Sequence, residues 1–265
     1  MRYSGRLAVI VLISLAIGCI SGDQKRGTRH YNVIAVEDEW QLGAALSADI
    51  ARQVQLVNDP QALTYLRALG ERLVRQTTLS NLPWEFHIVN SPDAYAFAIP
   101  GGHVYVTTGA IKTMRTAAEL GGLVAHELGH AVDRQTIAVL SARYGVRELA
   151  SAANGGNPAI YKQVLSEVVP ASPPMRFTSA DEKTADDFAV KWLQNAGYDP
   201  NGLVGMIQAL QALQATNAAG VQRFFAAHPL DNDSITEIRG EISKLPKKAG
   251  LISDEPEFHA AKDRL

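Results

Sequence analysis

The chain has 265 residues, of which 46% are hydrophobic and 20% are charged, and its formal net charge is −2 at pH 7. This composition is typical of a globular protein with one sizeable core or two small ones. The near-neutral charge gives no electrostatic basis for binding nucleic acid, and we expect no nucleic-acid partner. A single cysteine, Cys19, excludes an intramolecular disulfide.

The N-terminal residues have the pattern of a secretory signal. Two arginines lie within residues 1–6, and residues 7–17 are almost wholly apolar. A basic start followed by about a dozen apolar residues is typical of a signal peptide. The run is shorter than the roughly 20 residues of a membrane-spanning helix. We therefore predict a signal peptide of the lipoprotein type at residues 1–18.

Cys19 follows this run in a context that resembles the bacterial lipobox. In the sequence Leu15-Ala16-Ile17-Gly18-Cys19, the cysteine would become the lipidated first residue of the mature protein. Ile20-Ser21 follows in place of an aspartate, which resembles lipoproteins sorted to the outer membrane. We predict lipidation of Cys19, contact with the membrane through this lipid, and a location in the bacterial periplasm at the outer membrane. A plain signal peptide or short anchor with an incidental cysteine is the alternative.

Beyond a polar tether predicted at residues 19–35, apolar residues recur at helical spacing along the chain. Glycine and proline mark the breaks between these stretches. We predict helices at residues 37–57, 62–74, 116–139, 159–168, 180–194, 200–214 and 233–244.

Two stretches favour strands, at residues 84–89 and 94–107, and Pro100-Gly101-Gly102 divides the second into two short strands joined by a turn. Residues 141–179 are predicted to be a long connection broken by turn residues, either a lid or a floppy insertion. The whole reads as one domain at residues 36–245. A charged, loosely held tail is predicted at residues 246–265.

The helix predicted at residues 116–139 contains the pattern H-E-x-x-H in His126-Glu127-Leu128-Gly129-His130. Four residues of a helix turn through about 400°, so the two histidines lie one turn apart on one face. This pair can bind one zinc ion from one side, with Glu127 near the open position of the metal. Gly121-Gly122 weakens the helix by about 1 kcal/mol per glycine relative to alanine, which predicts close approach of a neighbouring strand or helix.

Zinc in a hydrolytic site usually takes three protein ligands and one water, so a third ligand must come from a distant segment. Histidines and carboxylates downstream are the candidates. Glu182 lies in an acidic stretch, Asp181–Asp186, at the start of a predicted helix, from which it could point back at the zinc. Asp186, one turn further on, could hydrogen-bond a ligand histidine and orient it.

Four motifs together carry a resemblance to a known family. They occur in the order Ala98–Gly109, His126–His130, Glu182–Asp186 (E-x-x-A-D) and His228-Pro229. In this order they resemble the M48 family of zinc metallopeptidases, which includes the CAAX prenyl endopeptidase and the HtpX-like and BepA-like proteases. The resemblance covers roughly residues 36–244.

The resemblance implies an α+β, mainly helical fold, a zincin-like helical domain with a small β-sheet beside the active-site helix. It implies one Zn²⁺ per chain, bound by His126, His130 and Glu182. Glu127 is then the general base of peptide hydrolysis. His228 is expected near the metal, where it either stabilises the oxyanion or occupies the open coordination position.

The strand before the active-site helix is a candidate for substrate binding, because an extended peptide can pair with an edge strand. We assign Ala98, Gly101 and Gly102 to this edge, with an ordinary hairpin as the alternative. The sequence departs from the family pattern at Gln135, where many members have a histidine, and at Ser234, where an arginine is common. These departures concern local ion pairs and substrate contacts.

Taken together, the resemblance implies a zinc-dependent metalloendopeptidase of the bacterial cell envelope that hydrolyses misfolded or mistargeted proteins. Its substrates would be unfolded or misassembled envelope proteins. The alternative is a zinc-bearing, chaperone-like assembly protein of the outer membrane with low or regulated proteolysis. A helix bundle with an accidental H-E-x-x-H is disfavoured by Glu182 and His228. The sequence leaves the oligomeric state and the natural substrate open.

Overall fold

A computed structural model describes residues 33–168, 175–216 and 220–265. The predicted signal peptide, Cys19 and most of the predicted tether lie outside these ranges. Within them the fold is α+β and mainly helical, as predicted. The helices are α1 (Val36–Ile50), α2 (Pro60–Val74), α3 (Thr108–Thr113), α4 (Ala117–Val132), α5 (Gln135–Tyr144), α6 (Val146–Ala153), α7 (Pro158–Val168), α8 (Ser179–Ala196), α9 (Asn201–Gln214), α10 (Val221–Ala227), α11 (Asn232–Lys244) and α12 (Pro256–Lys262). The strands are β1 (Glu85–Val89), β2 (Ala96–Ile99) and β3 (His103–Thr107).

The three strands form one sheet in the order β1-β3-β2. β1 pairs with β3 in parallel, with Glu85 opposite His103, and β2 pairs with β3 as an antiparallel hairpin. The predicted Pro100-Gly101-Gly102 turn joins the hairpin, and both glycines have positive φ, 82° and 78°. Glycine adopts this conformation at no steric cost. β2 is therefore an edge strand among the described residues.

The sheet separates two hydrophobic cores. One face packs with α2, α4, α8, α9 and α12, and its core includes Phe86, Val104 and Leu123. The other face packs with α1, α5, α6 and α7 around Tyr105 and Leu140. Because side chains alternate between the two faces of a strand, neighbouring residues of β3 contribute to different cores.

Helix α4 lies at the centre of the larger core and packs chiefly against α8 and α9. Its N-terminus is capped by Thr116, whose side-chain oxygen accepts a hydrogen bond from the Glu119 N–H at 3.3 Å. A Cβ on Gly122 would lie 2.8 Å from the Leu203 Cα atom of α9. The close approach predicted for Gly121-Gly122 is thus confirmed at Gly122.

The predicted extent of this helix, to Val139, is wrong. α4 ends at Val132, because Arg134 adopts the left-handed conformation with φ 57°. The chain changes direction at this residue, and α5 follows. The Arg134 guanidinium donates hydrogen bonds to Glu39 Oε2 at 2.7 Å and to the Ile34 carbonyl at 2.6 Å. These contacts with α1 and its N-terminal flank hold the turn in place.

Two further expectations need correction. The connection predicted at residues 141–179 is more helical than expected where it is described. α7 confirms the helix predicted at residues 159–168, whereas α6 was not predicted, and the two helices bury Val164 and Leu149 in the smaller core. The tail at residues 246–265 is not loosely held, because α12 packs against α2 with Phe258 fully buried. Within the described part of the chain, no helix combines the length and apolar content needed to cross a bilayer.

Candidate metal centre

Two imidazole rings of α4 form the base of a buried polar cluster. His126 and His130 lie one turn apart on the same face, and both side chains are almost completely buried. Their Nε2 atoms are 3.1 Å from each other. A helix thus presents two nitrogen donors to one point, the arrangement that the spacing of the motif predicts.

Helix α8 brings a carboxylate to the same point. Thr178 and Asp181 form a capping box at its N-terminus, and Glu182 follows in the first turn. Its Oε2 atom lies 3.4 Å from His126 Nε2, and its Oε1 atom lies 3.6 Å from His130 Nε2. The approach is close because Gly129 has no side chain, and a Cβ there would lie 2.6 Å from the Ala185 Cα atom.

A third imidazole, from His228, completes the cluster. It immediately follows α10, and its Nδ1 atom lies 3.1 Å from His126 Nε2 and 3.2 Å from Glu182 Oε1. The four side chains of His126, His130, Glu182 and His228 are all buried and could hold a single metal ion.

The donor set fits a divalent transition metal. For ligands about 2.0–2.2 Å from zinc, a tetrahedral arrangement places the donor atoms about 3.3–3.6 Å apart. The separations of 3.1–3.6 Å that relate His126, His130 and Glu182 are close to this spacing. The Glu182 Oε2 atom is also buried without a hydrogen bond from the described residues, a costly state for an ionised oxygen unless a cation neutralises it.

Two polar side chains orient the histidine rings from behind. Asp186 Oδ1 lies 2.9 Å from His126 Nδ1, one turn along α8 from Glu182. Gln135 Oε1 lies 2.5 Å from His130 Nδ1, and its amide donates a hydrogen bond to Asp133 Oδ2 at 2.9 Å. A partner on Nδ1 directs the Nε2 lone pair of each ring to the centre of the cluster.

Aromatic rings pack against the remaining faces. The Phe177 ring stacks on His130 with a centroid distance of 3.8 Å, and the Phe224 ring stacks on His228 at 4.7 Å. These contacts exclude water and restrict the rotation of both imidazoles. The low-polarity surroundings strengthen electrostatic interactions within the cluster.

The buried charges shift the pKa values of the cluster. Burial alone would raise the pKa of Glu182, but the neighbouring His228 and His126 rings outweigh it and hold this pKa below its ordinary value. Burial, together with the charges of His126 and His228, lowers the pKa of His130 well below its usual range. At neutral pH these two residues therefore have the ionised carboxylate and the neutral imidazole that metal binding requires.

Glu127 lies beside the cluster but is not one of the four residues that could hold the metal ion. Its Oε1 atom is buried without a hydrogen bond from the described residues and lies 3.5 Å from His228 Nε2. Burial raises the pKa of this carboxyl above its ordinary value, although the charge of His228 opposes the shift. A raised pKa makes this carboxylate a stronger base than an exposed glutamate, which suits the acceptance of a proton.

A cleft opens on Glu127 and His228. One wall is the edge strand β2, and the Ala98 N–H donates a hydrogen bond to the Glu127 carboxylate. Apolar and cationic side chains form the other walls, among them Met175, Phe177, Arg223 and Phe224. Of the three residues predicted for a substrate edge, only Ala98 lies in the cleft. Gly101 and Gly102 form the turn and pack against Gly43 and Trp40 of α1.

Sequence reasoning missed Gln135 and Phe177 as part of this site. From the sequence, Gln135 is only a departure from the family pattern, because its contact with His130 depends on the left-handed turn at Arg134. Phe177 lies in the segment predicted to be a lid or a floppy insertion. The sequence feature that could have identified Phe177 is its position immediately before the N-cap residue Thr178. A residue at this position lies close to the first turn of α8.

A model of peptidase family M48 matches residues 60–242. The chain belongs to peptidase family M48. Among M48 relatives, the beta-barrel assembly-enhancing protease of Escherichia coli (strain K12) is 24% identical over 249 residues, which are 90% of this chain and 50% of the relative. The protein of the same name from Yersinia pestis is 23% identical over 228 residues, which are 83% of this chain and 47% of the relative.

A shorter M48 relative is also similar. The metalloprotease YcaL of Escherichia coli (strain K12) is 26% identical over 182 residues, covering 66% of this chain and 70% of the relative. The chain spans about half the length of the assembly-enhancing proteases that it matches.

Proposed function

We propose that this chain is a zinc-dependent metalloendopeptidase that hydrolyses peptide bonds in misfolded or mistargeted proteins of the bacterial cell envelope. The main support is the convergence of His126, His130 and Glu182 on one point, with Glu127 next to it. Two relatives are named for enhancing β-barrel assembly, which supports unfolded or misassembled envelope proteins as substrates.

His126, His130 and Glu182 would hold one Zn²⁺, with Asp186 and Gln135 fixing the orientation of the two rings. When bound, zinc polarises the scissile carbonyl and lowers the pKa of a coordinated water. Glu127 accepts the proton of the attacking water and delivers it to the leaving amine nitrogen. His228, 3.5 Å from Glu127, donates a hydrogen bond to the oxyanion of the tetrahedral intermediate.

The substrate would bind as an extended strand along β2. An edge strand offers unpaired backbone groups, and pairing with them aligns a peptide without regard to its sequence. The hydrogen bond from the Ala98 N–H to the Glu127 carboxylate holds β2 in position relative to Glu127. The apolar walls at Met175 and Phe177 favour apolar side chains next to the scissile bond.

The test is a casein-cleavage assay with the Glu127→Gln variant and with Glu71→Gln, an exposed site on α2, as the matched control. Glu127→Gln should keep its zinc and lose turnover by at least about 100-fold, the contribution expected of a general base. Glu71→Gln should cleave as fast as the wild type. Chelation should abolish cleavage, and added zinc should restore it. Wild-type rates in Glu127→Gln would refute the assignment.

A second candidate function is favoured by the position of His228. Because its Nδ1 atom lies 3.1 Å from His126 Nε2 and 3.2 Å from Glu182 Oε1, it occupies the fourth corner of the cluster. The protein would then be a zinc-bearing, chaperone-like assembly factor in which His228 restrains proteolysis. His228→Asn separates the two, since it lowers turnover if the ring stabilises the oxyanion and raises turnover if the ring blocks the site.

The envelope location depends on the N-terminal signal and on Cys19. We propose lipidation of Cys19 and anchoring in the outer membrane. Metabolic labelling with a radioactive fatty acid should mark the wild type and not Cys19→Ser, and the wild type should fractionate with outer membranes. Labelling of both proteins, or of neither, would contradict this part of the proposal and leave the peptidase assignment intact.

A further inference from the structure

A second cluster of metal-binding side chains lies on the sheet. Glu85 and His87 project from β1, and His103 projects from β3. His87 Nε2 lies 3.3 Å from His103 Nδ1. The Glu85 Oε2 atom lies 3.6 Å from His87 Nε2 and 3.7 Å from His103 Nδ1. Three donor atoms thus form a nearly equilateral triangle.

The strand pairing explains why these residues meet. Glu85 and His87 are two positions apart, so they share one face of β1. Glu85 stands opposite His103 in the parallel register, which places all three side chains on the same face of the sheet. Ala98, which contacts Glu127, pairs with Val104 on the opposite face. The sheet therefore separates this cluster from the metal centre at α4.

The spacing of the donors matches one small divalent cation. A tetrahedral zinc site places its donors about 3.3–3.6 Å apart, and the observed separations are 3.3, 3.6 and 3.7 Å. Two imidazoles and one carboxylate favour Zn²⁺, Cu²⁺ or Ni²⁺ over Mg²⁺ and Ca²⁺, which prefer oxygen ligands. With three protein ligands, a fourth position stays open to water or to a group from another molecule.

The two histidines are held in place before any ion arrives. His87 stacks on the Tyr105 ring with a centroid distance of 4.5 Å, and its side chain is only 14% exposed. The His103 side chain is 7% exposed, whereas the Glu85 side chain is 59% exposed. An ion can therefore enter from solvent at Glu85 and meet two preoriented rings. Little conformational entropy is lost on binding, since two of the three ligands are already ordered.

Burial keeps the rings in the form that can bind a cation. It lowers the pKa of His87 to about 4, with smaller contributions from the charges of His103 and Arg67. Burial likewise lowers the pKa of His103, against the charge of Glu85. Both imidazoles are neutral at neutral pH, and each keeps a nitrogen lone pair for a metal.

We propose that Glu85, His87 and His103 form a second site for a divalent transition metal, with Zn²⁺ as the ion used to test it. The site joins β1 to β3, and its open position faces solvent beside the exposed Glu85 carboxylate. It is independent of the proposed peptidase function, because none of its ligands belongs to the cluster at α4.

The test is zinc uptake by the full chain in competition with a chromogenic chelator, with Co²⁺ absorption as a second readout. The wild type should take up two equivalents of zinc per chain. Glu85→Gln should weaken the second equivalent by at least about tenfold, since removing even an outer-shell partner of a ligand costs that much. Because Glu85 is largely exposed, this variant keeps its fold, and the thermal unfolding of the metal-free protein should be unchanged.

Two variants and one control complete the experiment. His87→Gln should lose the second equivalent and keep the first, whereas His126→Asn should lose the first and keep the second. His259→Gln, a partly exposed histidine paired with Asp254, should keep both. Saturation of the wild type at one equivalent that His126→Asn loses and His87→Gln keeps would overturn the proposal. So would a second equivalent that binds Glu85→Gln and His87→Gln as tightly as the wild type.

Discussion

Gly129→Ala tests whether the close approach of α4 and α8 determines metal binding. A Cβ at this position would lie 2.6 Å from the Ala185 Cα atom and 2.9 Å from the Ala185 carbonyl oxygen. Carbon atoms in contact normally lie about 3.5–4.0 Å apart, so α8 has to move by about 1 Å. Glu182, one turn before Ala185, moves with it.

The expected change in the free energy of unfolding of Gly129→Ala is the sum of two opposing contributions. Alanine in place of glycine stabilises a helix interior by about 1 kcal/mol, and overpacking in a well-packed core costs about 1–3 kcal/mol. Because the obstructing atoms belong to the backbone of α8, we place the cost at the upper end of that range and expect a net destabilisation of about 1–2 kcal/mol. Metal sites tolerate ligand displacements of about 0.2 Å, so zinc affinity should fall by at least about tenfold.

Gly121→Ala is the matched control on the same helix. Its Cβ would lie 3.2 Å from Leu193 Cδ2, the end of a flexible side chain that can move aside. We expect this variant to be neutral or more stable by up to about 1 kcal/mol, with unchanged zinc affinity. Urea unfolding and zinc competition on both variants provide the comparison. Equal zinc affinity in Gly129→Ala and Gly121→Ala would refute the reasoning.

Four further substitutions have expected outcomes. Asp186→Ala and Gln135→Leu each remove the Nδ1 partner of a ligand histidine and should lower zinc affinity by about 10- to 100-fold in a chelator-competition assay; unchanged affinity would mean that the rings are held by packing alone. Phe258→Ala should cost about 3–5 kcal/mol in urea unfolding, because this ring is fully buried between α12 and α2; a loss below about 1 kcal/mol would show that α12 detaches easily. Thr178→Ala removes the side-chain half of the capping box and should cost about 1 kcal/mol, measured by thermal unfolding against the exposed Thr216→Ala.

The sequence was sufficient where local patterns decide the structure. The H-E-x-x-H spacing predicted a helix with two histidines on one face, and the Pro100-Gly101-Gly102 turn predicted the β2–β3 hairpin. The E-x-x-A-D motif supplied Glu182 as a candidate partner, although its approach to α4 depends on Gly129, whose role is visible only in three dimensions.

The sequence was insufficient where distant residues decide the structure. Arg134 ends α4 in a conformation that few non-glycine residues adopt, and contacts with Glu39 and Ile34, nearly a hundred residues earlier, stabilise it. The C-terminal segment has few apolar residues, so its pattern is too short to predict that Phe258 is buried. In both cases tertiary contacts override the local signal.

The residues of the α4 cluster are widely separated along the chain, and this has a consequence for folding. His126 and His228 are 102 positions apart, and their approach requires α8 and α9 to have docked on α4 and α10 on α9. Contacts between such distant segments form late, because closing long loops costs entropy before any contact repays it. A nascent or half-folded chain therefore has two histidines on a helix but no closed coordination shell. The polypeptide assembles the complete cluster, including His228, only once nearly all of the domain is in place.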